Sequence, residues 1–311
     1  MKEFTVSINE SSKRLDKFIK TVLPKAPDSF VYKMLRKKNI KLNGQKASGS
    51  EKLNEGDVVT LFLSDDTFTN FGYDDIDTNE YQKAYETLKN IKVVYEDDNI
   101  LIVNKPTNVL SQKANIDDVS VNEWLIGYLL ENSKVSSESL KSFKPSVLNR
   151  LDRNTNGLLM CAKTLNTAQE ISLLLKDKRI RKFYKTEVLG HIDEEMLLEG
   201  YLIKNEADNT VKVYKNKPPE QKSSYIKTRV IPITKKDDTT VAEIELFTGK
   251  SHQIRAHLSS IGHPVIGDSK YGDQNANKKH NAKTQRLTAI RLIFPDDIKI
   301  DSLKGKTIEL K

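Results

Sequence analysis

After residue 90, strand-like and helix-like segments follow one another without a regular repeat. The run Ile100-Leu101-Ile102-Val103-Asn104-Lys105-Pro106 is typical of a buried strand that a proline ends. The remaining segments are four predicted strands, Gly157–Ala162, Tyr184–Leu189, Tyr225–Ile231 and Val241–Phe247, and one predicted helix, Thr167–Leu175. Because parallel strands need a crossover helix between them, this irregular order favours an α+β fold with a mixed, largely antiparallel sheet flanked by helices.

The distribution of charge divides the chain into three parts. The chain has 311 residues, which is more than one typical domain holds, and its net charge is +8. Lys and Arg outnumber Asp and Glu in residues 1–64 and 91–311, whereas residues 65–90 are acidic. We therefore predict a small basic domain (1–64), an acidic linker with a short helix near its end (65–90) and a large domain (91–311). Two basic blocks suit a polyanionic partner, although ordinary solvated lysines explain the charge alone equally well.

Composition argues against several classes of protein. No run approaches the roughly 18 apolar residues that a membrane helix needs, and the first residues lack the apolar core of a signal peptide. We therefore expect a cytoplasmic protein that does not bind a membrane. The only cysteine, Cys161, excludes an internal disulfide and a multi-cysteine zinc site. Its neighbours are apolar, so we interpret it as an inert strand residue rather than a nucleophile.

The first 64 residues carry a basic helix pair followed by a hairpin. Apolar residues recur at helical spacing within Ser12–Leu23, and a second helix is predicted at Phe30–Lys38. Asn43-Gly44 predicts a tight turn, and Val58–Leu63 a strand. This order resembles the S4-type RNA-binding module, a small α/β domain, and the resemblance implies that the helix ends contact phosphates. The basic residues assigned to this surface are Arg14, Arg36, Lys37 and Lys38. The alternative is a small structural cap.

A polar segment that runs directly into an apolar strand contains the most informative carboxylate. In residues 148–160, Leu-Asn-Arg-Leu-Asp-Arg-Asn-Thr-Asn-Gly-Leu-Leu-Met, Asp152 falls on a loop that a rigid strand can hold in place. Taken alone, an aspartate between Arg150 and Arg153 is more often a surface ion pair than a catalyst.

The same segment resembles the Arg-Leu-Asp motif of the RluA-type RNA pseudouridine synthases. Asn149 stands where that family usually has histidine, and Asn156 where it usually has serine. Residues 181–190, Arg-Lys-Phe-Tyr-Lys-Thr-Glu-Val-Leu-Gly, are similar to the family strand that carries Lys-x-Tyr and ends in Gly. Alternation places Tyr184, Thr186 and Val188 on one face of this strand; a tyrosine there is ordinarily a packing residue.

A third segment gives the closest resemblance. Residues 246–258, Leu-Phe-Thr-Gly-Lys-Ser-His-Gln-Ile-Arg-Ala-His-Leu, and residues 262–268, Gly-His-Pro-Val-Ile-Gly-Asp, match the family block, with Lys250 in place of its usual arginine. We expect Ser251 to cap a helix that Gly262 ends.

The resemblance implies a role for each of these residues. Asp152 would be the essential carboxylate, kept ionised by a pairing with Arg255, and Tyr184 would stack against the target base. Arg150 would fill the place of the extruded base, and Leu151 and Ile254 would line the uracil pocket. RNA contacts are expected from Lys105, Lys250 and His252.

Neither a cofactor nor a metal is implied. The family's reaction, the conversion of uridine to pseudouridine, involves no oxidation or reduction. His252, His257 and His263 lack the spacing of a zinc helix.

The expected activity is the conversion of uridine to pseudouridine in structured RNA by a monomer. An S4-like module beside this catalytic type implies large-subunit ribosomal RNA first and transfer RNA second. The rival hypotheses are a non-catalytic RNA-binding protein and a serine- or metal-dependent hydrolase. The combination of Asp152, Tyr184 and Arg255 argues against the first, and the lack of a hydrolase nucleophile or of metal-ligand spacing argues against the second.

Overall fold

The computed structural model describes residues 1–7, 9–72, 77–137, 139–141, 143–205, 208–219 and 222–310. The chain forms two compact units. The first comprises Met1–Thr87, Glu123–Ser146 and Thr164–Asn166, and the second comprises Leu88–Asn122, Val147–Lys163 and Thr167–Lys311. The boundaries expected from charge, 1–64, 65–90 and 91–311, stay a prediction. Among the described residues, no helix combines the length and the apolar character that crossing a bilayer requires.

The first unit begins with a four-stranded sheet and two helices. The strands are β1 (Lys2–Thr5), β2 (Ile40–Leu42), β3 (Gln45–Lys46) and β4 (Val58–Leu61), in the order β1-β4-β2-β3, and the helices are α1 (Leu15–Val22) and α2 (Asp28–Arg36). Apolar residues of both helices and of β4, including Leu15, Ile19, Leu35 and Leu61, form one buried core. Asn43 and Gly44 have φ of +49° and +75°, the left-handed pair that a two-residue hairpin turn requires. The helix pair and the hairpin are therefore confirmed, and their S4-like character stays a prediction.

The segment expected as a linker contains two helices rather than one. These are α3 (Asp65–Phe71) and α4 (Asn79–Thr87). Ser64 caps α3 by accepting from the Thr67 amide, and two acidic residues in the first turn suit the positive end of the helix. Phe68 and Phe71 pack against the core of the first unit, which is why an acidic segment is ordered here. Asp74 and Asp75 lie outside the described residues.

The second unit is built on an eleven-stranded sheet. Its strands are β5 (Lys92–Glu96), β6 (Ile100–Lys105), β7 (Ser146–Val147), β8 (Asn156–Ala162), β9 (Arg181–Leu189), β10 (Met196–Asn205), β11 (Thr210–Tyr214), β12 (Ser224–Lys235), β13 (Thr239–Leu246), β14 (Leu287–Ile293) and β15 (Thr307–Glu309). The main path is β11-β10-β12-β13-β9-β14-β8-β6-β5, with β15 beside β14 and β7 beside β8. Among the strand pairings whose register is described, only β14 with β8 is parallel and the others are antiparallel, so the predicted mixed, largely antiparallel sheet is confirmed.

The parallel pairing depends on Gly157. Thr288 pairs with Asn156 and Ala289 pairs with Gly157. Gly157 has φ of +115°, and a Cβ built on it would lie 2.2 Å from the carbonyl oxygen of Ala289. Only glycine allows β14 to approach this closely. The approach matters for the site because Asp152 lies on the loop that leads into β8.

The α-helices that follow α4 along the described chain are α5 (Val121–Glu131), α6 (Leu165–Lys176), α7 (Gln253–Ser260) and α8 (Gln274–Lys279). Ile171 and Leu174 of α6 pack on Leu158 and Met160 of β8. Ala256 of α7 packs on β10, β11 and β12.

The cap expected at Ser251 is wrong. The helix begins at Gln253, and the residue before it, His252, adopts a left-handed φ of +55° without a side-chain cap. Instead, the Gln253 side chain accepts from the Lys250 amide and the Thr248 hydroxyl and so closes the turn from within the helix. The expected end is confirmed, since Gly262 has φ of +84° just after the helix.

Candidate active site

Asp152 lies on the loop between β7 and β8, and backbone contacts hold this loop. The Leu148 amide donates to the Met160 carbonyl, and the Thr155 amide donates to the Asp152 carbonyl at 3.0 Å. Asn149, one of the two departures from the family motif, accepts from the Met160 amide at 2.8 Å. The amide side chain therefore helps to tie the loop to β8.

Buried hydroxyl groups brace the same loop from two sides. The Ser111 hydroxyl donates to the Leu151 carbonyl and accepts from the Leu151 amide, both at 3.0 Å. Thr155 accepts from Gln285 at 2.5 Å. Asn156, the second departure, accepts from the hydroxyl of Thr288 at 2.9 Å. These bonds fix the backbone on each side of Asp152.

Lys105 has a different position from the one expected. Its side chain is fully buried, and its ammonium donates to the carbonyls of Pro106, Val109 and Arg153 at 2.7–3.0 Å. The predicted contact between Lys105 and RNA is therefore wrong. Lys105 is the last residue of β6, and its side chain ties the loop that follows to the Asp152 loop. Burial lowers the pKa of Lys105 to about 7, although the Asp152 carboxylate nearby opposes the shift.

Arg255 connects Asp152 to a second carboxylate. Its Nη1 donates to Asp152 at 2.8 Å, as the resemblance implied, across 103 positions of sequence. Its Nε and Nη2 donate to the two carboxylate oxygens of Asp268 at 2.6 and 2.8 Å. The Asp152 side chain keeps 26% of its surface exposed, whereas Asp268 is fully buried. Of the two carboxylates, only Asp152 is open to a substrate.

Asp268 is a residue of the candidate site that sequence reasoning missed. Its carboxylate also accepts from the amides of Lys270 and Tyr271. Burial raises the pKa of Asp268, but the hydrogen bonds and charge of Arg255 and these amides outweigh burial, so the pKa lies below its ordinary value. The Asn277 side chain accepts from the Gly267 amide and donates to the Asp268 carbonyl. The Gly-Asp pair was visible in the matched run, but nothing in the sequence indicated that its carboxylate reaches Arg255.

Tyr271 and His252 complete the surroundings of Arg255. The guanidinium carbon lies 5.1 Å from the centre of the Tyr271 ring. The Tyr271 hydroxyl accepts from the Val211 amide at 2.8 Å and lies 2.9 Å from His252 Nδ1. Burial lowers the pKa of His252. The negative charge of Asp152 opposes this shift, and the positive charge of Arg255 adds to it. A neutral His252 can accept the Tyr271 proton at Nδ1.

Tyr184 lies in the middle of β9 and is 6% exposed. Its neighbours across the sheet are Ile244 on β13 and Ala289 on β14. Burial, and secondarily the charge of Asp152, raise the pKa of its hydroxyl, so this group is a neutral donor at physiological pH. Among the described residues, the Tyr184 hydroxyl makes no hydrogen bond, which leaves it available to a ligand.

The other predicted residues divide by exposure. Leu151 directly precedes Asp152, and Ile254 directly precedes Arg255. Both are buried, with 7% and 5% of their surface exposed. Arg150 and Lys250 are exposed. In the first unit, Arg14 pairs with Asp16 at 2.9 Å, and the exposed basic residues at the end of α2 are Arg36, Lys37 and Lys38.

The remaining histidines and the cysteine have structural surroundings. His257 lies 3.1 Å from the Thr228 hydroxyl, and His263 lies 2.9 Å from the Leu189 carbonyl. Cys161 is buried in β8, as expected for a strand residue. In the part of the chain that the structure describes, no three His, Cys, Asp or Glu side chains are grouped to hold a metal ion.

Comparison with known proteins identifies the family. Residues 99–260 match the family model for RNA pseudouridylate synthase. The chain is 29% identical over 277 residues to ribosomal large subunit pseudouridine synthase C of Vibrio cholerae, covering 85% of this chain and 78% of that protein. It is also 29% identical over 313 residues to an uncharacterized RNA pseudouridine synthase of Mycoplasma capricolum, covering 99% and 97%.

A solved structure shares the fold. The human RNA pseudouridylate synthase domain containing 4 superposes with a TM-score of 0.58 and 18% identity, over 75% of this chain and 92% of that one. The family match spans more than half of the chain and includes Asp152, Tyr184 and Arg255. The chain therefore belongs to the RNA pseudouridylate synthase family and is an RNA pseudouridine synthase, an isomerase.

Proposed function

We propose that Asp152 is the catalytic carboxylate and that the target is a uridine in large-subunit ribosomal RNA. The observation that carries the catalytic role is the Arg255–Asp152 contact of 2.8 Å on a carboxylate that remains partly exposed. Arg255 is held by the buried Asp268, so Asp152 faces a fixed cation. This contact fixes the orientation of the Asp152 carboxylate, the kind of group that can act as a nucleophile.

The isomerisation needs one bond to break and another to form at the same sugar carbon. The bond from uracil N1 to C1′ breaks and its electron pair leaves with the base. The base turns, C5 bonds to C1′, the proton on C5 departs, and N1 gains a proton. Atoms and electrons balance without an oxidant or reductant. Asp152 attacks the sugar or assists departure of the base, in the manner of the nucleophilic carboxylate of retaining glycosidases.

The released uracil must stay in place while it turns. Tyr184, Leu151 and Ile254 would provide an apolar enclosure that excludes water, and all three are nearly buried. The neutral Tyr184 hydroxyl would offer a hydrogen bond to the turning base. The charge of Asp152 also contributes to the raised pKa of the Tyr184 hydroxyl, after burial.

The target nucleotide must leave its stack before reaction, which costs a few kcal/mol. Arg150 is exposed two residues before Asp152, and its planar guanidinium would stack in the vacated place. Lys250 and His252 would contact the backbone around the site. In the first unit, the S4-like helices would present Arg14, Arg36, Lys37 and Lys38 to phosphates.

The ribosomal target rests on similarity to a relative named as a large-subunit pseudouridine synthase at 29% identity and on the S4-like order of the first unit. Transfer RNA is the second candidate. We further propose that the enzyme acts as a cytoplasmic monomer.

The test combines a purified enzyme with mapping in cells. Asp152→Ala and Asp152→Asn should lower single-turnover conversion of ribosomal RNA by at least about 10⁴-fold, as loss of a nucleophile does, with RNA affinity within about threefold of wild type. Asp177→Ala, which removes an exposed carboxylate at the end of α6, is the matched control.

Mapping pseudouridines in cells that lack the protein then identifies the target. Loss of specific sites in large-subunit ribosomal RNA is the expected result. Loss confined to transfer RNA would replace the ribosomal assignment with the second candidate. If Asp152→Asn kept normal conversion, the catalytic role of Asp152 would be refuted.

A further inference from the structure

Lys182 is a cation on the catalytic face of β9 that the roles proposed above do not use. In a strand, residues two apart share a face, so Lys182 lies on the same face as Tyr184. The intervening Phe183 points to the opposite face, where the Arg181 and Arg291 guanidinium groups lie 4.9 and 4.3 Å from its ring centre. Lys182 is thus on the side of the sheet where the target base would stack.

Its side chain is poorly solvated and lacks a partner. Lys182 is only partly exposed, and no carboxylate, carbonyl or ring contacts its ammonium among the described residues. Burial lowers its pKa. The neighbouring Arg181, by contrast, donates to Glu245 at 2.7 Å. A desolvated ammonium without an anion is costly, and a bound anion would remove that cost.

The Lys182 ammonium adjoins the turn before α7. A Cβ built on Gly249 would lie 3.5 Å from Lys182 Nζ, so the ammonium sits against this turn. The turn also carries the exposed Lys250 and leads to His252 and Arg255. Two lysines therefore flank Gly249, and both belong to elements that supply the candidate catalytic residues.

We propose that Lys182 binds a backbone phosphate of the substrate RNA next to the target uridine, with Lys250 as a second positive charge. This inference rests on the proposed function, because it places the target base at Tyr184. A phosphodiester fits better than the uracil ring, since the phosphate is charged throughout the reaction and the base oxygens are neutral until the C–N bond breaks. A fixed phosphate contact would hold the extruded nucleotide by its backbone while the freed base turns.

The first test measures binding and turnover of charge variants. Lys182→Met should weaken affinity for the substrate RNA by about 10-fold and reduce the slope of log affinity against log salt by about 0.7–0.9, the loss of one phosphate contact. Lys182→Arg should restore most of both. Lys185→Met is the matched control because Lys185 is exposed on the opposite face of the same strand, and it should leave affinity unchanged. Thermal unfolding of each variant identifies any loss of folding.

The second test locates the phosphate. RNAs with one uncharged methylphosphonate, placed in turn at each linkage around the target uridine, are titrated with wild type and Lys182→Met. A methylphosphonate at one linkage next to the uridine should weaken binding to the wild-type protein. The same substitution should have no further effect on binding to Lys182→Met. Equal losses at every linkage in both proteins, or a Lys182→Arg variant no better than Lys182→Met, would overturn the proposal.

The experiment separates this proposal from the catalytic one. Binding is measured in both the wild-type and Asp152→Asn backgrounds, so it does not depend on turnover. A linkage-specific loss with normal conversion by Asp152→Asn would support the phosphate contact and refute the role of Asp152. Loss of conversion by Asp152→Asn with no linkage-specific effect of Lys182 would do the reverse.

Discussion

Arg255 donates to both carboxylate oxygens of Asp268, through Nε at 2.6 Å and Nη2 at 2.8 Å. This two-point contact fixes the plane of the guanidinium and leaves Nη1 directed at Asp152. Asp268 therefore holds the guanidinium that contacts Asp152, and we predict that it is a positioning residue rather than a group that meets the substrate. Its backbone is fixed in turn by Asn277.

Asp268→Asn is expected to damage both stability and turnover. A buried charge left without its partner destabilises the fold by about 3–5 kcal/mol. A displaced Arg255 should lower kcat by on the order of 10²-fold, the cost of misplacing a catalytic group. Urea unfolding and single-turnover conversion measure the two effects. Asp301→Asn, at an exposed pair with Lys304, should match wild type. An Asp268→Asn enzyme with normal kcat would contradict the positioning role.

Ser111→Ala should loosen the Asp152 loop. The substitution leaves the Leu151 amide and carbonyl without the Ser111 hydroxyl, and each unsatisfied buried group costs about 1–3 kcal/mol. We expect a lower melting temperature and a reduced kcat with little change in RNA affinity. Calorimetry, kinetics and RNA titration check these outcomes, with the exposed Ser136→Ala as control. Unchanged kcat would mean that the loop does not need this brace.

Lys105 predicts a dependence of stability on pH. Its pKa is about 7 in the folded chain, against 10.5 in the unfolded one. Between these values the unfolded chain holds more protons, so stability rises with pH by at most about 1.4 kcal/mol per unit. Below about pH 7 both states are protonated and this contribution is constant. Chemical unfolding of wild type and Lys105→Met from pH 6 to 10 should give curves that diverge above pH 7. Parallel curves would contradict the low pKa.

Gly157→Ala should prevent correct assembly of the sheet. The added Cβ would meet the Ala289 carbonyl oxygen at 2.2 Å and would also be strained at φ of +115°. We expect a loss above about 4 kcal/mol, in the exceptional range for one substitution. Gly56→Ala has a comparable φ of +86° with open space around the added atom and isolates the backbone strain, about 1–3 kcal/mol. Equal losses in the two variants would show that the close approach is unimportant.

Local structure was predictable where short-range patterns decide it. The bounds of β6 follow from an apolar run that meets Pro106, and the left-handed turn at Asn43-Gly44 follows from residue type. The start of α7 was misplaced because the Gln253 side chain, rather than Ser251, satisfies the preceding turn. Such a choice depends on the fold of the turn and not on residue preference alone.

The site was predictable only in part, because long-range partners decide the rest. The Asp152–Arg255 pairing came from the resemblance. The buried position of Lys105 depends on carbonyl groups up to 48 positions away, and a lysine in sequence suggests a surface. Asp268 and Arg255 are 13 positions apart, and Gly267, just before Asp268, has a φ of +82° that favours glycine.

The position of β14 has a consequence for biosynthesis. This strand, residues 287–293, inserts between β8 and β9, which precede it by more than 90 positions. Until β14 has left the ribosome, β8 and β9 lack the strand that lies between them. β8 follows the Asp152 loop, and β9 carries Tyr184. The nascent chain therefore cannot assemble a competent catalytic centre during most of its own translation, and a chain cut before residue 287 should be inactive however much of the family motif it retains.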